Sequence, residues 1–343
     1  MIFTSYFNIL DKRGRPRHIE ADKEAVKMKS GWQQKWWIDC DPGIDDLAAL
    51  LFAFAAPSFS IQGVSSVSGN VDLERSSRNL GRILRLCGQE VLPFYRGAAR
   101  PMKGEPVRAE YAHGADGLWG IDLGVEGREA ATDRDAADAI AEAARTSGPA
   151  FGVLALGPLT DLGLALSRYP ELRRSIREIV LMGGGCRHGN VTPLAEFNIY
   201  SDPCAASIVF QSGIPIRMIG LDVTEQADVP AFLFEEENFS FKQAIIRRVA
   251  AVSRDLNVRQ GLGGHSSLHD LTALLALLNP EAFDFAEARI TVGLEAGPHY
   301  GQTICSFAKE RRREPEPPVH RVALQVHQAA YEKVWSRLFR RLV

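Results

Sequence analysis

WWIDCDPGIDDLAALLFAFAA (residues 36–56) opens on an apolar run, breaks at Pro42-Gly43 and continues as leucine, alanine and phenylalanine at helical spacing. Its first part reads as a buried strand and its last part as a helix. Outward from it the alternation recurs, with candidate strands SIQGVSSV (60–67), VLPFY (91–95), FGVLAL (151–156), EIVLMG (178–183) and IRMIGL (216–221). Between them, LERSSRNLGRILRLCG (73–88) places Leu73, Leu80, Ile83, Leu84 and Cys87 on one helical face before Gly88 stops it, and DRDAADAIAEAARTSG (133–148) behaves alike. The C-terminal part is more mixed: a helix near 271–278, β-rich segments ARITVGLE (288–295), QTICSF (302–307) and HRVALQV (320–326), and a closing helix from about Gln328. This predicts an α/β fold, a mostly parallel open sheet flanked by helices. No internal repeat or low-complexity linker divides residues 36–343, which read as one domain.

The composition narrows the function. Of 343 residues, 45% are hydrophobic and 24% charged, which is ordinary for a globular protein. With 40 Lys and Arg against 42 Asp and Glu, the net charge of −2 lacks the basic excess needed to bind nucleic acid or an anionic membrane surface. Apolar stretches such as residues 47–56 fall short of the ~20 residues that span a bilayer. Cys40, Cys87, Cys186, Cys204 and Cys305 are scattered without CxxC spacing, which argues against a disulfide framework and a zinc site and fits a reducing cytoplasm. Residues 1–35 are polar, lack an apolar targeting core and mix Lys and Arg with Asp11, Glu20, Asp22 and Glu24. They are expected to be a flexible extension, with Met28 nearer the true start; the other reading is an arm packed on the body or on a partner subunit.

The chemistry is concentrated in the first strand-turn-helix. Asp39, Asp41, Asp45 and Asp46 fall within eight positions around Pro42-Gly43. Such a cluster is tolerable if a cation neutralises it, because carboxylates this close cannot all stay ionised without strong pKa shifts. The donors are oxygens, and no His or Cys accompanies them at transition-metal spacing, so a hard ion is implied, Ca²⁺ before Mg²⁺. One or two of these residues would be explained by the positive N-terminus of the following helix or by backbone donors at the strand end. All four around one turn are better explained by a ligand. A rival reading is a HAD-like phosphatase, whose paired aspartates after the first strand supply a nucleophile and an acid; that pair usually continues with Gly-Thr or Gly-Val rather than Pro-Gly-x-Asp-Asp.

DCDPGIDD (39–46) resembles the opening motif of the inosine-uridine preferring nucleoside hydrolase family. VSSVSGN ending at Asn70, HGADGLWG (113–120), LALGPLTDL (154–162), VLMGGG (180–185), GNVTPLAEFNIYSDPCAA (189–206), GLDVT (220–224) and LHD (268–270) resemble family segments in the family's order. The resemblance implies a Rossmann-like nucleoside hydrolase fold and a Ca²⁺ ion held by Asp41, Asp46, Asp270 and the backbone carbonyl of Leu156. It implies that Asp45, Asn198 and Asp270 bind the ribose 2′- and 3′-hydroxyls and that Asn190 and Glu196 reach the 5′-hydroxyl. Asn70 would place the attacking water, and Asp39 would support the loop from behind. It also suggests a homodimer or homotetramer.

Cleavage of an N-ribosidic bond passes through a ribose of oxocarbenium character, so the site must stabilise positive charge, activate water and help the base leave. Asp41, touching metal and metal-bound water, is the expected general base. His269, beside Asp270, is expected to protonate the departing base or lend it a hydrogen bond. Phe197 lies between Glu196 and Asn198 and is expected at the ligand with them, while Asp202 is expected to cap a helix. Met182, ahead of three glycines, suggests close backbone approach to the sugar, although a tight turn alone would need glycines too. His113 either faces the ligand or orders its loop. Residues 252–268 lack the aromatic residues that cover the base in relatives and offer Arg254, Arg259 and His265, each of which reads equally as a solvated charge. GPHYGQT (297–303) matches the family only in part, and RRREPEPP (311–318) reads as an exposed loop. Beside the phosphatase stands one further alternative, a nucleoside- or ribose-binding protein without catalysis.

Overall fold

The computed structural model describes residues 34–131, 134–307 and 318–343. The expected N-terminal extension lies outside the described residues except for Gln34 and Lys35, as does RRREPEPP except for its last proline.

Strands β1 (Lys35–Cys40), β2 (Ser60–Ser66), β3 (Phe94–Arg96), β4 (Phe151–Ala155), β5 (Glu178–Met182), β6 (Ile216–Ile219), β7 (Phe283–Val292), β8 (Thr303–Ser306) and β9 (Val319–Val326) form a nine-stranded sheet in the order β3-β2-β1-β4-β5-β6-β9-β7-β8. Every pairing from β3 through β9 is parallel, and β7 runs antiparallel to both β9 and β8. The mostly parallel open sheet is therefore as expected, with an antiparallel edge built from the mixed C-terminal part. VLPFY is the poorest match: only Phe94 and Tyr95 enter β3, because Val91 stands in solvent and Pro93 has no N–H to donate.

The alternation of side chains in β1 assigns its neighbours. Ile38 faces the core shared with Leu154 of β4 and Val180 of β5, whereas Trp37 faces the opposite core with Val153 and Leu181. The paired tryptophans fit because glycines lie across from them: a Cβ on Gly63 of β2 would come within 2.4 Å of the Trp37 ring, and one on Gly152 of β4 within 2.6 Å of Trp36.

Helices α1 (Ile44–Ala55), α2 (Leu73–Leu86), α3 (Glu110–His113), α4 (Ala136–Ser147), α5 (Thr160–Arg168), α6 (Phe197–Ser201), α7 (Pro203–Phe210), α8 (Leu221–Thr224), α9 (Phe232–Glu235), α10 (Phe241–Arg259), α11 (His269–Leu278) and α12 (Gln328–Phe339) cover the sheet. Helix α1 is apolar nearly all round because it packs against α10, α11 and α12 and shares one core with Ile38, Leu154 and Val180 of the sheet. As expected, α2 ends ahead of Gly88, whose φ is +69°, and Asp202 caps α7 by accepting from the Ala205 N–H at 3.0 Å.

From β3 to β6 the strand order is 3-2-1-4-5-6, so the winding reverses between β1 and β4. Open α/β sheets hold ligands at such a reversal, outside the carboxyl ends of the strands. Asp41 follows one of these ends and Leu156 the other.

Candidate active site

The turn after β1 aims its carboxylates by a small set of hydrogen bonds. The Gly43 N–H donates to Asp46 Oδ2 at 2.8 Å, which fixes Asp46 over the start of α1. Asp41 Oδ2 accepts the Asn70 N–H at 2.7 Å, and Asn70 Nδ2 donates to the Asp41 carbonyl at 3.2 Å and to Asp46 Oδ2 at 3.4 Å. One oxygen from each of Asp45, Asp46 and Asp270 lies within 4.8 Å of the others. This tightest group contains Asp45 where the sequence reading had Asp41. Asp41 stands beside it, near enough that Asp46 and Asp45 repel its charge.

Burial, reinforced by this repulsion, lifts Asp41 and Asp270 well above the ordinary carboxylate range and pushes Asp46 up to about 7. Asp41 Oδ1, Asp45 Oδ1 and Asp46 Oδ1 are buried without a hydrogen-bond partner in the protein. Orphaned carboxylate oxygens converging at a strand end fit a cation, and the all-oxygen donor set fits a hard one.

Across the reversal, the Leu156 carbonyl accepts from Asn198 Nδ2 at 2.7 Å, and the same amide donates to the Met182 carbonyl at 3.2 Å. Glu196 caps α6: its carboxylate accepts from the N–H groups of Asn198 at 2.9 Å, Ile199 at 3.2 Å and Gly184 at 2.7 Å. Burial nonetheless raises its pKa. Asn190 Oδ1 accepts the Phe197 N–H at 2.9 Å. Residues 182–198 thus form one knot around the glycine turn, in which Gly183 has φ +155° and Gly184 φ +78°. Asn190, Glu196 and Asn198, three of the residues read as sugar contacts, also brace this knot.

His113 belongs to the cluster as well as to its loop. Its Nδ1 accepts the Ile44 N–H at 3.2 Å and lies 3.8 Å from Asp45 Oδ1, while burial lowers its pKa. Nearby His269 also disfavours a positive charge on His113. His269 opens α11, with Nδ1 bonded to the Thr224 hydroxyl at 2.8 Å. Asp39 lies behind the site, accepting from Ser65 Oγ at 2.6 Å and paired with Asp161.

The model of the inosine-uridine preferring nucleoside hydrolase family matches residues 36–333. The chain belongs to this family. It is an enzyme, a hydrolase. It is 37% identical over 275 residues to the pyrimidine-specific ribonucleoside hydrolase RihA of Citrobacter koseri, covering 78% of this chain and 87% of the relative. It is 36% identical over 269 residues to the non-specific ribonucleoside hydrolase RihC of Escherichia coli, covering 78% and 86%. Among solved structures, the plant nucleoside hydrolase PpNRh1 superposes with a TM-score of 0.83 at 28% identity, covering 90% of this chain and 99% of that one. The phosphatase and binding-only alternatives are not favoured by these likenesses.

Several residues that shape this nucleoside hydrolase's site escaped the sequence reading. A Cβ on Gly69 would fall 2.0 Å from Asp41 Oδ2, and one on Gly157 2.6 Å from Asp41 Oδ1, so two glycines make the slot that Asp41 occupies. Asn79 of α2 donates to the Pro42 carbonyl at 3.2 Å and the Asp116 carbonyl at 2.9 Å, stitching the metal turn to the His113 segment. Asn79 sits on the buried side of an otherwise amphipathic helix, which was the available signal. Asp161 lies in the quoted LALGPLTDL segment, yet nothing local in the sequence pairs it with Asp39. No helix among the described residues is long and apolar enough to cross a membrane.

Proposed function

We propose that residues 36–343 form a Ca²⁺-dependent nucleoside hydrolase domain that cleaves the N-glycosidic bond of ribonucleosides to ribose and free base. The observation that carries the reading is the set of buried, partnerless oxygens on Asp41, Asp45 and Asp46 at the sheet's reversal point, with Asp270 completing the group. The ion would be held by Asp41, Asp46, Asp270 and the Leu156 carbonyl. When bound, it supplies Lewis acidity and an anchor for a vicinal diol.

The chain's own residues then divide the work. Asp41 takes the proton of the attacking water, which Asn70 orients through its own bonds to Asp41 and Asp46. Asp45, Asp270 and Asn198 hold the 2′- and 3′-hydroxyls. Because Asn198 Nδ2 is engaged with Leu156 and Met182, Asn198 offers the sugar its Oδ1 as an acceptor. Glu196 and Asn190 take the 5′-hydroxyl; a carboxylate has about four lone-pair sites, so Glu196 can accept it while capping α6. Met182, Phe197 and His113 wall the pocket, and His269 protonates the leaving base through Nε2. The family resemblance supports a homodimer or homotetramer, and the scattered cysteines fit a reducing cytoplasm.

A panel of purine and pyrimidine ribonucleosides, followed by reducing-sugar release with and without chelator, tests the reading. Sugar release that requires calcium is expected. Absence of release from every nucleoside at saturating calcium would overturn it.

A further inference from the structure

We infer that Thr224 is a positioning residue for the leaving-group step: its hydroxyl holds His269 by Nδ1 and so turns Nε2 toward the departing base. The inference rests on the reading of His269 as the proton donor to that base.

An imidazole has two nitrogens, and a ring that can swing about its side-chain bonds presents either of them or neither. Here the 2.8 Å contact with Thr224 Oγ1 occupies Nδ1, so Nε2 is the nitrogen left for a ligand. The anchor does not move with the ring. Thr224 is fully buried at the end of α8, and α8 is tied to the glycine turn after β5 by the Leu221 N–H to the Gly184 carbonyl at 2.9 Å and by Asp222 Oδ2 accepting the Cys186 N–H at 2.6 Å. Gly220, just ahead of α8, permits this approach, since a Cβ there would fall 2.5 Å from the Gly184 carbonyl oxygen. His269 itself stands at the first position of α11.

When Nε2 passes its proton on, Nδ1 keeps its own. The Thr224 hydroxyl therefore accepts from Nδ1–H before and after the transfer and steadies His269 throughout.

The test uses the full chain with calcium bound and two kinds of riboside. One is a natural nucleoside, whose base leaves with difficulty unless protonated; the other is 4-nitrophenyl riboside, whose phenolate leaves unaided. Thr224→Val and the smaller Thr224→Ala are expected to lower kcat for the nucleoside roughly tenfold more than kcat for the aryl riboside, with little change in KM, and Thr224→Ser to recover most of the loss. In a His269→Ala background, Thr224→Val should add no further loss on the nucleoside. Equal losses on both substrates, or a full additional loss in that background, would reduce Thr224 to a packing residue and overturn the inference. If His269→Ala alone fails to distinguish the two substrates, the acid role of His269 falls and the inference falls with it. Discrimination by His269→Ala but not by the Thr224 variants sinks the inference alone.

Discussion

Asn70 donates its backbone N–H to Asp41 Oδ2 at 2.7 Å and leaves Asp41 Oδ1 buried with no partner in the protein. One oxygen is thereby fixed in direction, and the other is left unengaged just beyond the carboxyl end of β1. Such a half-satisfied buried carboxylate lowers stability and is retained where chemistry needs it.

Replacing that carboxylate separates chemistry from folding. Asp41→Asn should lower kcat by roughly 10² to 10⁴, because the amide cannot accept a proton from water. In chelator the variant should melt at or above the wild-type temperature, since a buried charge repelled by Asp46 is gone. Steady-state kinetics and thermal melts check both halves, and an unaltered kcat would remove Asp41 from the mechanism.

Calcium should raise the melting temperature saturably by neutralising the cluster. A ligand present at 100 times its Kd stabilises the folded state by ~2.7 kcal/mol. Asp270→Ala removes one of the three converging oxygens and should abolish most of the shift. Differential scanning fluorimetry against calcium concentration reads this without any substrate.

The slot around Asp41 predicts that Gly69→Ala is damaging well beyond a methyl group's size. Its Cβ would lie 2.0 Å from Asp41 Oδ2, so the carboxylate must rotate off its Asn70 bond. Overpacking of this kind costs about 1–3 kcal/mol, and kcat should drop with it. A variant as active as wild type would show that the slot is not tight.

Behind the site, Asp161 is pushed up to about 7 by burial and shares its neighbourhood with Asp39. A carboxyl group whose folded pKa is raised contributes stability that is complete below its unfolded value near 3.8 and is lost as the pH rises through about 7. In saturating calcium, wild-type protein should therefore lose roughly a few degrees of Tm between pH 5 and 8 relative to Asp161→Asn. Parallel Tm profiles for the two proteins would show that Asp161 does not titrate in this range.

Much of the fold was legible because it is local. Apolar runs bounded by Gly and Pro marked β1, β2, β4, β5 and β6 to within two residues of their observed ends, and the Asp202 cap followed from side-chain chemistry acting over three residues. Helix α10 was not read, although Ser240 and Gln243 form a capping box at its start, with the Ser240 N–H donating to Gln243 Oε1 at 3.0 Å. Its apolar face is narrow, with Ile245, Ile246, Val249 and Ala250 buried among arginines, so the periodic signal was weak. The start of β3 was misplaced because a valine and a leucine look alike in sequence whether they point inward or, as Val91 does, into solvent.

The acidic turn could be recognised from sequence because its members are close in the chain and mutually repulsive. The polar residues of 190–198 were also picked out, but their present bonds, Glu196 to three backbone amides and Asn198 to the Leu156 carbonyl, depend on β4 and β5 being neighbours. By itself, then, the sequence determined the alternation of elements and the clustering of acidic residues at the first turn, since these follow from residue chemistry over a few positions. Only the tertiary structure decided that Asp270 closes the group begun by Asp45 and Asp46, that Gly69 and Gly157 leave room for Asp41, and that Thr224 holds His269. Those relationships join residues tens to hundreds of positions apart, and their geometry is set by strand order and helix packing, which no local pattern encodes.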